Sequence, residues 1–121
     1  IYSFDKQKEM PVAIGFILRN EPEKISLTDP NGIIGYWEPP HGEDGIIGVG
    51  AILPSKPKKY VWQKKQLLAI STVNNGQPFV YYAGAAWNKA GEITSNEQWF
   101  EYLKTYKKYL AAPLTVKVSK K

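Results

Sequence analysis

Leu67-Leu68-Ala69-Ile70-Ser71-Thr72-Val73-Asn74-Asn75-Gly76-Gln77-Pro78-Phe79-Val80-Tyr81-Tyr82-Ala83-Gly84-Ala85-Ala86-Trp87 is the stretch on which the fold class turns. Two apolar runs rich in β-branched and aromatic residues flank Asn-Asn-Gly, whose residues accept the positive φ of a tight β-turn. The expectation is a hairpin in which residues 79–87 pair back as a long strand on residues 67–73. Small residues alternate with aromatics in the second run, which is how a sheet makes room for a neighbour or a ligand.

Outward from that hairpin, Tyr60-Val61-Trp62 begins a strand that continues through the polar patch at residues 63–66 into Leu67. Gly-Ile-Ile-Gly occurs at residues 32–35 and again at 45–48. Each copy opens an apolar run, so the pair reads as two neighbouring strands across one loop. Glycines inside both strands point to close approach of another backbone, a bulge or a ligand. Residues 11–19 form a further apolar run, read as a buried strand, and the polar segment 20–24 leads on toward the turn Asp29-Pro30-Asn31-Gly32. One helix is expected. Ser95 caps it, Gln98 completes a capping box, Glu97 favours the positive end of the dipole, and Trp99, Phe100, Leu103 and Leu110 recur at helical spacing before Pro113. Leu114-Thr115-Val116-Lys117-Val118 alternates and is expected to close an edge, blunted by Lys117, Lys120 and Lys121. Strand runs joined by turns, without alternating βαβ units, make this a mainly β chain: an antiparallel β-sandwich with one α-helix near the C-terminus.

At 121 residues the chain is one domain's worth, residues 1–121. No apolar run approaches the ~20 residues of a membrane span. The chain has no cysteine and one histidine, His41. This excludes a disulfide scaffold, a thiolate metal site and a cysteine nucleophile, and leaves too few ligands for a histidine-rich zinc site. The net charge is +5, and the basic residues are lysines apart from Arg19. Lysine is a hydrated point charge, whereas arginine supplies bidentate phosphate and guanine contacts, so the excess fits a solvated surface better than a nucleic-acid reading head. The chain starts at Ile1, and Ile1-Tyr2-Ser3-Phe4 reads as the middle of a β pattern. The expectation is a fragment or C-terminal part of a longer chain, whose missing N-terminal part is a partner.

Two constellations carry chemistry. Trp37-Glu38-Pro39-Pro40-His41-Gly42-Glu43-Asp44-Gly45 sets three carboxylates and the only histidine between two strand ends. Carboxylates beside an imidazole can perform acid/base work on a sugar hydroxyl or ring oxygen, which makes His41, Glu38 and Glu43 the catalytic candidates. The same oxygens could hold a hard cation, but the spacing is not that of a calcium loop, so no metal and no cofactor are assigned. A polar turn rigidified by two prolines is the plainer reading. The second constellation lies where a strand runs toward the helix, at Tyr81, Tyr82, Trp87, Asn88, Lys89, Glu92 and Trp99. Sugars offer flat C–H faces to aromatic rings and hydroxyls to polar groups, so Trp37, Tyr82, Trp87, Asn88 and Lys89 are candidate substrate-binding residues, against the alternative that the aromatics fill the core. No nucleophile elbow, phosphate loop or dinucleotide fingerprint is present.

At the Trp37-Glu38-Pro39-Pro40 loop, at Tyr81-Tyr82-Ala83-Gly84-Ala85-Ala86-Trp87 and at the helix bearing Trp99-Phe100, the chain resembles the C-terminal portion of an uncharacterised bacterial family over residues 9–118. Members of that family are secreted proteins associated with polysaccharide utilisation and related to the galactose-mutarotase-like β-supersandwich. The resemblance implies part of a supersandwich, a carbohydrate ligand, and a periplasmic or extracellular setting. It also implies His41 with Glu38 or Glu43 as acid and base. Three functions are therefore open: part of a glycan-processing enzyme of hydrolase, lyase or epimerase type, a non-catalytic glycan-binding module, or a basic domain that binds an acidic polymer through Lys56, Lys58, Lys59, Lys64 and Lys65.

Overall fold

The computed structural model describes residues 1–19 and 25–119. Its strands are β1 (Glu9–Ile17), β2 (Ser26–Asp29), β3 (Ile33–Trp37), β4 (Ile47–Ile52), β5 (Lys59–Gln63), β6 (Gln66–Asn74) and β7 (Tyr82–Trp87), followed by one helix, α1 (Asn96–Ala111). The strands form two antiparallel sheets, ordered β1-β6-β5 and β2-β3-β4-β7. The polar segment 20–24, Lys120 and Lys121 lie outside the described residues.

The layers explain the sequence patterns. Strand β3 is buried along its whole length because both faces of its sheet are covered. Ile34 and Tyr36 join Leu18, Ala51, Leu53, Leu67 and Ala69 in the core between the sheets. Ile33 and Trp37 join Ile52, Trp99 and Leu103 in a second core beneath α1. A strand covered on both sides must read as a continuous apolar run, as Ile33-Ile34-Gly35-Tyr36-Trp37 does. Strand β6 is covered on one face and alternates, with Leu67, Ala69, Ser71 and Val73 inward. Residues 11–19 do not form a buried strand: β1 is an edge strand covered on one face, with Met10 and Ile17 exposed.

The two Gly-Ile-Ile-Gly segments lead into neighbouring antiparallel strands, β3 and β4, with Gly45 and Ile46 still in the loop before β4, and Gly35 pairs with Gly50 and Gly50 with Gly84 across β3, β4 and β7. A Cβ on Gly35 would lie 2.9 Å from Leu103 Cδ1, and one on Gly50 would lie 2.8 Å from both Leu103 methyls. These two glycines let α1 settle onto the sheet. Helix α1 starts as its sequence indicates. Ser95 Oγ accepts from Gln98 N at 3.3 Å, and Gln98 Oε1 accepts from Thr94 N at 2.8 Å, one residue before the box geometry expected. The Glu97 carboxyl is held below its ordinary value by its own backbone amide and the Ser95 hydroxyl. Near the other end Lys107 Nζ donates to the carbonyls of Leu53 and Pro54, strapping the helix to the end of β4.

Three strand expectations are corrected. The Asn74-Asn75-Gly76 turn forms, with Gly76 at φ +70°, yet residues 79–87 do not pair back on β6. Both edges of β6 are taken by β1 and β5, so the chain crosses to the other sheet, where β7 pairs with β4. The turn instead anchors the N-terminal residues: Gly76 N donates to Tyr2 O, and the Asn75 side chain exchanges hydrogen bonds with the Phe4 backbone. The patch at residues 63–66 does not continue a strand. Lys64 and Lys65 take φ of 47° and 61° and make a two-residue hairpin between β5 and β6. Residues 114–118 form no edge strand. Leu114 is 98% exposed, and the segment joins neither sheet.

Substitutions along the glycine row test this packing. Gly50→Ala is expected to lower the unfolding free energy by about 1–3 kcal/mol through overpacking. Leu103→Ala should cost less in that background than in the parent chain, because the clash and its partner are removed together. Urea unfolding measures both. Additive costs would show that Leu103 does not bear on Gly50.

Candidate functional site

The loop from Glu38 to Ile46 is built by its backbone. Glu38 N donates to Ile47 O, His41 N to Gly45 O and Asp44 N to His41 O, each at 2.9 Å. A 3-10 turn at Gly42–Asp44 follows His41, and Gly45 takes φ +91°. A side chain there would be strained by that φ and would bring its Cβ to 2.5 Å from Asn88 Oδ1.

The end of β7 clamps this loop. Asn88 N donates to Ile46 O at 3.0 Å, and Ile46 N donates to Asn88 Oδ1 at 2.8 Å. Trp87 Nε1 donates to Asp44 O at 2.8 Å, and Lys89 Nζ donates to Glu43 O. The fold thus brings Trp87, Asn88 and Lys89 to the acidic loop, and their polar atoms hold its backbone. Trp87 keeps an exposed face, at 49%.

Glu38 and His41 come together with Arg19, which leaves the end of β1. His41 Nε2 lies 3.5 Å from Glu38 Oε2, and Arg19 Nε lies 3.7 Å from the same oxygen. Arg19 Nη1 is 3.2 Å from His41 Nδ1 and in contact with Nε2. A guanidinium can only donate, so the imidazole meets it through a ring lone pair. The Glu38 side chain is 11% exposed, whereas those of His41 and Arg19 are open to solvent. Among the described residues, the buried Glu38 Oε2 has no hydrogen-bond partner. A carboxylate therefore sits beneath an accessible imidazole, with a cation beside both.

The remaining candidates fall elsewhere. Glu43 lies in the exposed 3-10 turn and is tied in through its backbone carbonyl. Trp37 is 5% exposed and belongs to the core beneath α1, as does Trp99. Tyr82 stands at the opposite end of β7 from Trp87, edge-on to Tyr106 at 6.4 Å. Among the described residues no group of three or more acidic or histidine side chains is arranged to hold a metal, and no helix is long and apolar enough to cross a membrane. Lys56, Lys58 and Lys59 lie at one end of β5 and the Lys64-Lys65 turn at the other, so these lysines do not form one patch. Arg19 is the member of the cluster that the loop sequence did not disclose. Its signal was its position, as the one arginine in a lysine-rich chain, closing an apolar run.

Residues 2–116 match the model of a family described as a domain of unknown function, DUF4861, and the chain belongs to that family. A curated relative, "Uncharacterized protein P7" of Formosa agariphila, is 27% identical over 114 residues. The match covers 88% of the chain and 28% of the relative, so the chain spans under a third of that protein's length. No solved structure matches the chain.

If the β7 clamp sets the loop, Asn88→Ala should leave the Ile46 amide without its acceptor. The expected loss is about 1–3 kcal/mol in urea unfolding, with faster proteolytic cleavage within residues 38–46. Unchanged stability and cleavage would mean that the loop is held without Asn88.

Proposed function

We propose that the chain is part of a glycan-processing protein of polysaccharide utilisation, working in the periplasm or outside the cell, on a sandwich related to the galactose-mutarotase-like supersandwich. The observation that carries this reading is the Glu38–His41–Arg19 cluster, set on the same loop that the exposed Trp87 indole abuts. His41 is the proton-transfer group, because its ring is accessible and an imidazole can both take up and release a proton. Glu38, buried behind it at 3.5 Å from Nε2, stabilises the imidazolium that forms when Arg19 gives up the ring lone pair and His41 takes a proton from the sugar. Arg19, exposed and released from the ring, offers donors to a substrate oxygen as it gains charge. Abstraction or delivery of a proton at a sugar carbon, hydroxyl or ring oxygen serves an epimerase, a lyase or a hydrolase alike. The resemblance of the loop and strand motifs to a family associated with polysaccharide utilisation supports this setting.

A non-catalytic glycan-binding module is the second reading. What favours it is that Asn88 and Lys89 are engaged with the loop backbone, which leaves ring surface as the obvious sugar contact near Trp87.

His41→Ala separates the two readings. Screened against a panel of polysaccharides for reducing-end release, unsaturated product and anomeric exchange, it should lose about 100-fold or more of the parent activity. Retention on the same polysaccharide in affinity electrophoresis should persist. Retention without any turnover in the parent chain would support the module, and turnover untouched by His41→Ala would remove His41 from the chemistry.

A further inference from the structure

The register across β3, β4 and β7 places Gly35, Gly50 and Gly84 in one row on the sheet face toward α1. Leu103 covers the first two, but a Cβ on Gly84 would meet nothing within 4 Å. Beyond the helix the face of β7 is bare. The hollow so formed is about 390 Å³, floored by Gly84, ended by Tyr82 and walled by Tyr102 and Tyr106 of α1, in the range of small-ligand pockets, about 300–1,000 Å³. A second hollow of about 250 Å³ continues it past Ala86 to Trp87, and the two share Trp99 and Tyr102. Together they make one groove along β7, about 17 Å from Tyr82 to Trp87 at ~3.3 Å per strand residue.

The lining identifies the occupant. Trp99 and Tyr102 stack at 5.6 Å and 10°, and Tyr102 and Tyr106 at 6.0 Å and 24°, forming a ladder of near-parallel rings. Tyr82, Tyr102 and Tyr106 are all partly open to solvent. In a chain with a net charge of +5, no charged side chain among the described residues lines the first hollow, and among the same residues Glu92 alone lines the second. An ionic polymer would find no partner there. The strand beneath is an edge strand, whose outer backbone N–H and C=O groups have no neighbouring strand to pair with. The stacked rings turn their edges and the hydroxyls of Tyr102 and Tyr106 to the groove, beside the outer backbone groups of β7, and an uncharged sugar chain supplies both the C–H surface and the hydroxyls that such a lining needs.

We propose that the groove between β7 and α1 binds an uncharged stretch of polysaccharide, laid along β7 from Tyr82 to Trp87. This site rests on the carbohydrate reading above and gives it a substrate class: a chain with neutral sugars beside the residue on which His41 acts.

Affinity electrophoresis of the chain in gels cast with galactomannan, xyloglucan or alginate tests the site. The parent chain should be retarded by at least one of the two neutral polymers. Tyr102→Ala and Tyr106→Ala should each weaken that retardation about tenfold. Gly84→Leu should abolish it while keeping the parent melting temperature, since its side chain enters open space. Retardation by a neutral polymer that none of the groove variants changes would overturn the groove and leave the carbohydrate reading standing. Retardation by alginate alone would overturn the neutral class and with it this site. No retardation in any gel would overturn the groove and its parent reading together. A concentration-dependent dimer in light scattering that Gly84→Leu abolishes would assign the groove to a second copy of the chain and overturn the proposal.

Discussion

The descent of Leu103 onto Gly35 and Gly50 is the contact on which the arrangement of this domain depends. A side chain at either glycine would push the Leu103 methyls from their seat and disturb the core that Leu103 shares with Trp37 and Trp99 beneath the helix. With the helix seated, the sheet β2-β3-β4-β7 becomes a middle layer between α1 and the outer sheet β1-β6-β5. Its central strands lose contact with water on both faces. Tyr36 illustrates the consequence, being fully buried while its hydroxyl accepts from the Arg19 amide at 3.2 Å. The same contact that seats the helix thus fixes the strand whose far end carries Glu38, and one buried phenol links it to the backbone of Arg19.

Much of this was legible because the signals were local. The repeated tetrads announced two adjacent strands, but what comes close to Gly35 is the Leu103 side chain of the helix, not the backbone, bulge or ligand that the glycines suggested. Ser95, Gln98 and Glu97 announced the helix start, since capping chemistry needs only residues within one turn. What was not legible depended on competition between distant partners. Asn-Asn-Gly permits a hairpin, but whether the next strand pairs across it depends on whether the edges of β6 are free, and β1, whose partners on β6 lie 49 to 65 positions away in sequence, had taken one of them. The Lys64-Lys65 hairpin was hidden for the opposite reason. Its residues carry no turn signature and accept positive φ because the pairing of β5 with β6 requires it. Residues 114–118 show that alternation alone makes no strand: without a ladder to join, a two-residue period has nothing to bury.

The candidate site divides along the same line. Loop composition identified Glu38 and His41, which meet, and equally Glu43, which is placed by its carbonyl. It could not supply Arg19, because that residue arrives from another sheet. Trp87, Asn88 and Lys89 were expected near a sugar and do lie beside the acidic loop, but their hydrogen-bonding atoms point to its backbone. Residue type announces what a group can bond, while the fold decides whether the partner is a ligand or the chain itself.

Strand β7 carries the consequence furthest. Its last residues hold the loop that presents His41, while its middle residues are too small to fill the face they form. A strand of Ala-Gly-Ala-Ala beside a tyrosine ladder contributes little to the core, since neither of its faces is fully covered. Small residues on an uncovered face destabilise a sheet relative to β-branched ones. Their presence is intelligible if the space above them is needed, and bulky residues at Gly84 and Ala86 would fill that space from below. The clamp at Trp87 then has a second effect, because it ties the open groove and the histidine loop to one short rigid strand. A chain resting on the rings would be held in fixed relation to His41 without either element having to move.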